Sequence, residues 1–471
     1  MPLSRWFMPA GAALLITAAL MAAPSRWRLA PATAFASPLR LPAVRKVTLQ
    51  NGLTVFVMPT HRVPLVDFRL VARAGSVNDP AGKEGLASLT ADLITQGAGK
   101  RTARQLAEEI AFVGGTLEAG AAAEQFTITC NVLKKDYATG LELFRDVIVT
   151  PAFPAEEFAR KKAEKLGDIA SQKDDPATVA NNALGPFLMG TNPLAHPVSG
   201  WEKSVGALTR ADVAAFQKQF ITPGNSMLAV VGDVDPDQVV ASLESAFAGW
   251  KGSTAAVAGY DAPAAVSGRQ VVIVSKPEVT QTQIRLATMG VPRNSADYYS
   301  IVVANTILGG GFTSRLVNEI RVVQGLTYGI GSRWSMYRNA GTFVVATFTR
   351  NETLRKCIDA SLAVVQKLVD QGPSEEELAK ARRYLTGQFP LGLQASDALA
   401  SQILNIEFYG LDPHYLETYT ERVNAVTMAD VKRVLKQRFG VTDLRILVVS
   451  DPKTAKPALE GLGTITVQDI R

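Results

Sequence analysis

The stretch EGLASLTADLITQG, residues 84–97, is where residue types and spacing first point to chemistry. Leu86, Leu89, Leu93 and Ile94 fall at i, i+3, i+7 and i+8, which predicts an amphipathic helix with its leucines on one stripe. Ser88, Ala91 and Asp92 cluster on the opposite side. An i, i+4 pair on such a face is where a helix holds two metal ligands, as the histidines of an H-x-x-E-H helix do. Here the pair is a serine and an aspartate, and read locally it is a solvated helix face.

No other metal ligands are spaced to compensate. The three histidines, His61, His196 and His414, are each isolated, in THRVP, LAHPV and DPHYL. The two cysteines read as core thiols. Cys130 alternates with Phe126, Ile128 and Val132 along a strand, and Cys357 shares a helix stripe with Leu354, Ile358, Leu362 and Val365. The run LGGGFTSRL carries Gly309, Gly310 and Gly311, but no strand and lysine accompany it as a phosphate loop requires.

The positioning framework follows from the rest of the chain. A 471-residue sequence with 47% hydrophobic residues is ample for two large cores. At the N-terminus, Arg5 precedes an uncharged run containing AGAALLITAALMAA and then the triplet Ala34-Phe35-Ala36. That pattern reads as a secretory signal over residues 1–36, with cleavage after Ala36 and a retained anchor as the alternative. The body of the protein is then expected outside the cytoplasm, periplasmic or secreted. Removing Arg5, Arg26 and Arg28 takes the formal charge from +6 to +3. Basic residues alternate with acids, as in EEFARKKAEK, so no nucleic-acid partner is expected, and no membrane contact beyond the leader.

The chain is also a duplication. TRADVAAFQKQFITPGNSMLAVVGD (209–233) and TMADVKRVLKQRFGVTDLRILVVSD (427–451) share nine of twenty-five positions without a gap. The expected organisation is one domain over 37–250, a Gly/Ala/Ser-rich linker over 251–268 and a second domain over 269–471. VTLQNGLTVFVMPT, LVDFRLVARAGSV and FTITCNVL read as strands of the first half, and RQVVIVSK, TQIRLATM, GTFVVATFT and LRILVVSD as strands of the second. With long helical insertions between them, the fold class is α+β: two homologous α/β sandwich domains, with helices covering one sheet face.

Taken together, LQNGLTVFVMPT, GSVNDPAGKEGLASLTADL, LGGGFTSRLVNEIRVVQGLTYGIGS and the repeated VTMADVKRVLKQRF…LVVSD resemble the insulinase/pitrilysin-type zinc peptidases, including the mitochondrial processing peptidase branch. Catalytic members of that family carry H-x-x-E-H after the Gly-Leu-Ala that here is Gly85-Leu86-Ala87. The motif positions in this chain are Ser88, Leu89, Thr90, Ala91 and Asp92, so both histidines and the glutamate base are missing. The family's third ligand falls near Gly167 and Asp168. Asp92 with Asp168 would make an all-oxygen site poorly suited to zinc. The resemblance therefore implies a lapsed zinc helix, no metal in this chain, and zinc in a partner subunit.

The resemblance also gives Arg321 and Tyr328 a role. They stand seven residues apart in RVVQGLTY, running from a helix end across Gly325 into a strand. In active relatives such a pair sits in the half opposite the zinc, bonds the peptide near the scissile bond and stabilises the oxyanion. The bland reading makes Arg321 a helix C-terminal cap and Tyr328 a half-buried strand aromatic. Gly309, Gly310 and Gly311 resemble a shorter form of the family's substrate-contacting glycine loop. These readings make the chain the non-zinc subunit of a heterodimeric metallopeptidase acting on peptides beside a homologous zinc-bearing subunit. A scaffold of the same fold, or a self-sufficient hydrolase with an unusual site, are the rivals.

Overall fold

The computed structural model describes residues 43–252 and 260–470. The leader, 1–36, and most of the linker's Ala-rich middle lie outside the described residues.

Two six-stranded sheets form the frame, one from each half. In the first, Arg45–Thr48 and Thr54–Pro59 pair antiparallel across the Asn51-Gly52 turn, where Gly52 adopts φ +91°. Thr54–Pro59 then runs parallel to Ser226–Gly232, which lies antiparallel to Leu65–Ala72. Phe126–Leu133 follows, and Thr116–Ala121 closes the edge. In the second sheet Ile330–Met336 is the edge strand, and Gly341–Arg350, Gln281–Met289, Arg445–Ser450, Gln270–Ser275 and Thr464–Gln468 follow in that spatial order.

The repeated sequence builds the same unit twice. Thr209 caps the helix Arg210–Phe220 and Thr427 caps Met428–Arg438. In each, the threonine hydroxyl accepts the N–H of an aspartate three residues on, Asp212 or Asp430, whose carboxylate bonds back to the threonine. The T-x-x-D identity between the halves is thus a capping box conserved by the duplication.

Helices cover both faces of each sheet, not one as the strand patterns suggested. Val66, Phe68, Leu70 and Ala72 point into the large core beneath the first half's own helices. Asp67, on the alternate face, meets Ser396 of the helix Ser396–Tyr409, which belongs to the second half and packs across Leu65–Ala72 and Ser226–Gly232. Reciprocally, Val179, Ala180, Leu184 and Leu188 of the first half's helix Pro176–Met189 pack on Val272, Val274, Ala287, Leu447 and Val449 of the second sheet. Each half therefore lends a helix to the other; Ser226–Gly232, buried along its whole length, shows that both faces are covered but not by which helix. The remaining described linker residues are tied down as well: the Tyr260 hydroxyl donates to buried Glu124 at 2.7 Å, and Asn192 donates to the Asp261 carbonyl at 2.8 Å.

Both cysteines are buried and unbridged. Burial pushes the Cys130 thiol up to about 12 and that of Cys357 up to about 11, so neither is poised to react.

Candidate functional site

The helix at the lapsed motif runs Leu86–Ile94. It starts at Gly85, whose φ of +99° suits glycine, and a Cβ there would stand 2.6 Å from the Ser199 carbonyl oxygen. Asp79 holds the helix entrance: its two carboxylate oxygens accept the N–H groups of Gly85 and Ala87, each at 2.8 Å. Burial pushes the Asp79 carboxyl up to about 7, against the opposing pull of those backbone donors.

Ser88, Ala91 and Asp92 are not on a fully solvated face, since Ser88 and Asp92 are only partly exposed. Ala91 and Thr90 are buried, and the helix packs against Ala155–Gln172, the helix on which the third ligand was expected. That helix presents a different residue from the ones expected. Asp168 is exposed, and Lys165, one turn earlier, reaches the motif. Its Nζ lies 2.7 Å from Asp92 Oδ2 and 2.8 Å from Ser88 Oγ, with the side chain only 11% exposed. An ammonium thus bridges the i, i+4 pair that holds a metal in an H-x-x-E-H helix.

This donor set does not fit zinc. It offers a hydroxyl, one carboxylate and a methyl group around a cation that has no lone pair to give. Among the described residues no three His, Cys, Asp or Glu side chains gather as metal ligands. Each histidine is committed elsewhere: His61 to Asp233, His414 to Glu417, and His196 to the Pro197 carbonyl. Nor is the Ser88–Lys165 contact a working nucleophile and base. An amine paired with Asp92 is an ammonium, which cannot take the serine proton.

The second cluster lies on the other half, and here the structure brings the expected residues together. Residues Thr306–Gly310 form a π-helical turn ending in the glycines, and a second one, Val317–Val323, carries Arg321. The i→i+5 bond from Gln324 N–H to the Glu319 carbonyl marks the wider winding, a distortion frequent at functional sites. Gly325, at φ +59°, then turns the chain back so that Tyr328 lies under Arg321. The Arg321 guanidinium stands 4.6 Å from the Tyr328 ring centre and 4.9 Å from that of Phe312, the residue following the glycines. Tyr328 is 77% exposed and Phe312 73%, so Tyr328 is not the half-buried strand aromatic of the bland reading. The phenol hydroxyl and guanidinium are thereby offered to solvent with no hydrogen bond or ion pair among the described residues.

The glycines divide by role. A Cβ on Gly309 would meet Ser332 N at 2.6 Å and Ser332 Oγ at 2.5 Å, so Gly309 is required by the close approach of the turn to the edge strand. Around Gly311 the nearest such atom is 4.0 Å away. Only the end of the run is free for a partner or substrate.

Sequence reasoning missed Lys165, Phe312 and Asp79. Lys165 had a signal: it lies on the same helix stripe as Phe158, Lys162 and buried Ile169, so a cation faces inward. Phe312 directly after three glycines was another. Asp79 stands six residues from Gly85, and only the tertiary turn brings it to the helix.

A duplicated α+β frame, a peptidase-type metal helix without its ligands and an exposed Arg–Tyr pair define a non-catalytic relative of zinc peptidases. The profile described as insulinase (peptidase family M16) matches residues 55–200, and that described as peptidase M16 inactive domain matches residues 207–385. The chain belongs to this family. It is 27% identical over 403 residues to an uncharacterized zinc protease of Streptomyces coelicolor, covering 84% of this chain and 87% of that one. A crystal structure of a peptidase M16 inactive domain from Pseudomonas fluorescens superposes with a TM-score of 0.82 at 28% identity, covering 87% of this chain and 98% of that one. A chain of complex III from Candida albicans shares the fold, with a TM-score of 0.74 at 19% identity over 89% of this chain and 97% of that one.

Proposed function

We propose that this chain is the metal-free subunit of a two-subunit peptidase located outside the cytoplasm. A homologous subunit carries H-x-x-E-H, and its zinc supplies the activated water. This chain contributes what surrounds the reacting carbonyl. Arg321 and Tyr328 donate hydrogen bonds toward the oxygen on which charge develops, and the Phe312 loop closes over the peptide and keeps water out.

The observation that carries this reading is the exposed stack of Phe312, Arg321 and Tyr328. A cation held against two rings is oriented before any ligand arrives, and orientation fixed in advance is what a transition-state donor needs. The placement outside the cytoplasm rests on the leader pattern of residues 1–36.

Coexpression with a homologous subunit bearing H-x-x-E-H, followed by size-exclusion chromatography and a quenched-peptide assay, tests the proposal. The expected result is one co-eluting complex whose activity exceeds that of the partner alone. Separate elution at micromolar concentration, with full activity in the partner by itself, removes it. A scaffold that assembles without contributing to catalysis would instead co-elute and be indifferent to loss of the Tyr328 hydroxyl.

A further inference from the structure

Between the lent helix Pro176–Met189 and the second sheet lies a cleft of about 560 Å³, within the size range of ligand sites. Its floor is the sheet face formed by the edge strand Ile330–Met336 and the next two strands, Gly341–Arg350 and Gln281–Met289. Arg333 is paired in register with Val344, and Arg285, from the other side, with Ala346. Val344 and Ala346 are two residues apart on one strand, so both arginines stand on the same face, flanking it. His196 and Asn182 line the opposite wall.

The charge in this cleft is unbalanced. Among the described residues no carboxylate lines it, although two guanidinium groups do. Arg285 is buried and is held by neutral acceptors, the Asn181 Oδ1 at 2.9 Å and the carbonyls of Ile284 and Ala177 at 2.9 and 3.2 Å. The carboxylate acting on it, Asp175, caps the helix through the N–H groups of Ala177 and Thr178. Arg333 has no hydrogen bond or ion pair among the described residues, and its charge acts on Arg285 as like on like. Holding Arg285 out of water with no carboxylate bonded to it is costly, and the like charge of exposed Arg333 on the same face adds to that cost. A bound carboxylate relieves it, since the planar guanidinium matches a carboxylate in shape and charge.

We infer that the cleft between the helix Pro176–Met189 and the edge strand Ile330–Met336 binds the carboxylate of a peptide, through Arg333 and Arg285. The inference deepens the peptide-handling reading above and rests on it only for naming a peptide as the bearer of the carboxylate. Arg285 also fastens the lent helix, so the test uses Arg333, which is exposed and releases no structural partner when changed.

The measurement is fluorescence anisotropy of a labelled heptapeptide with neutral side chains and a free C-terminus, on the full chain at low salt. Competitors are the same peptide amidated, an amidated peptide carrying one glutamate, and glutarate. At least one carboxylate-bearing competitor is expected to displace the probe about tenfold or more better than the neutral amide. Which peptide does so distinguishes a C-terminus from an acidic side chain, and displacement by glutarate alone, with neither acidic peptide competing, overturns the peptide assignment. Arg333→Gln is expected to weaken binding about tenfold, while Arg104→Gln, an exposed position outside the cleft, leaves it unchanged; melting curves confirm that both fold. Equal competition by the neutral amide, or equal losses in the two arginine variants, overturns the inference. Because binding is read on this chain alone and the two-subunit reading on turnover of the assembled pair, the two failures are told apart.

Discussion

The Arg321 guanidinium lies over the Tyr328 ring, 4.6 Å from its centre, and 4.9 Å from the centre of the Phe312 ring. The contact is made at the surface, where a cation–π pair contributes only about 0.5–1 kcal/mol. Stability is therefore a poor reason for it, and orientation a better one.

Tyr328→Phe keeps the ring and removes one hydroxyl. In the assembled pair, kcat is expected to fall about a hundredfold or more, with complex yield and melting temperature unchanged. Arg321→Ala is expected to cost at least as much turnover. It also frees Phe312, so its KM should rise as well. Steady-state kinetics on a quenched peptide gives both numbers, and near-normal kcat in both variants would leave these residues structural.

Lys165 bears on metal binding. Restoring Ser88→His, Ala91→Glu and Asp92→His while Lys165 stays is expected to yield zinc affinity at least about a hundredfold below that of the same chain with Lys165→Glu added, because the ammonium repels the metal and the glutamate supplies a third ligand. Competition against a chromophoric chelator measures the ratio. Equal affinities would show that Lys165 swings aside and blocks nothing.

For Asp79 the pH dependence can be signed. Its folded carboxyl titrates at about 7, above the ordinary 3.8, chiefly because it is buried. Between those values the folded state holds a proton that the unfolded chain has released, so this residue's contribution falls as pH rises from about 4 to 7. Asp79→Asn removes that slope and costs about 1–2 kcal/mol at the helix entrance, since one backbone N–H then faces an amide NH2. Urea denaturation of both proteins at pH 4.5 and 7.5 is the check. Parallel pH dependence in the variant would sink the assignment.

Within the glycine run the cost of a methyl group should differ by position. Gly309→Ala forces its Cβ onto Ser332 and is expected to destabilise by about 1–3 kcal/mol, whereas Gly311→Ala costs under about 1 kcal/mol. Thermal unfolding separates them. A similar loss at both positions would mean that the loop, and not the edge strand, sets the constraint.

By itself the sequence determined the duplication, the α+β class, the loss of both histidines and the base, and the Arg321–Tyr328 pair. These are statements about residue identity and short-range period, which need no partner to be read. Thr209 and Thr427 head the same capping box wherever their helices dock. Tertiary structure alone decided what fills the lapsed site. Lys165 lies more than seventy residues from Asp92, and the two meet because Ile169 anchors one helix beside the other. It also decided that the halves exchange helices, since strands apolar on both faces, such as Ser226–Gly232, say that something covers them and not what. Arg285 and Arg333 belong to different strands, and only the pairing of each with Gly341–Arg350 puts both charges on one face of the same cleft.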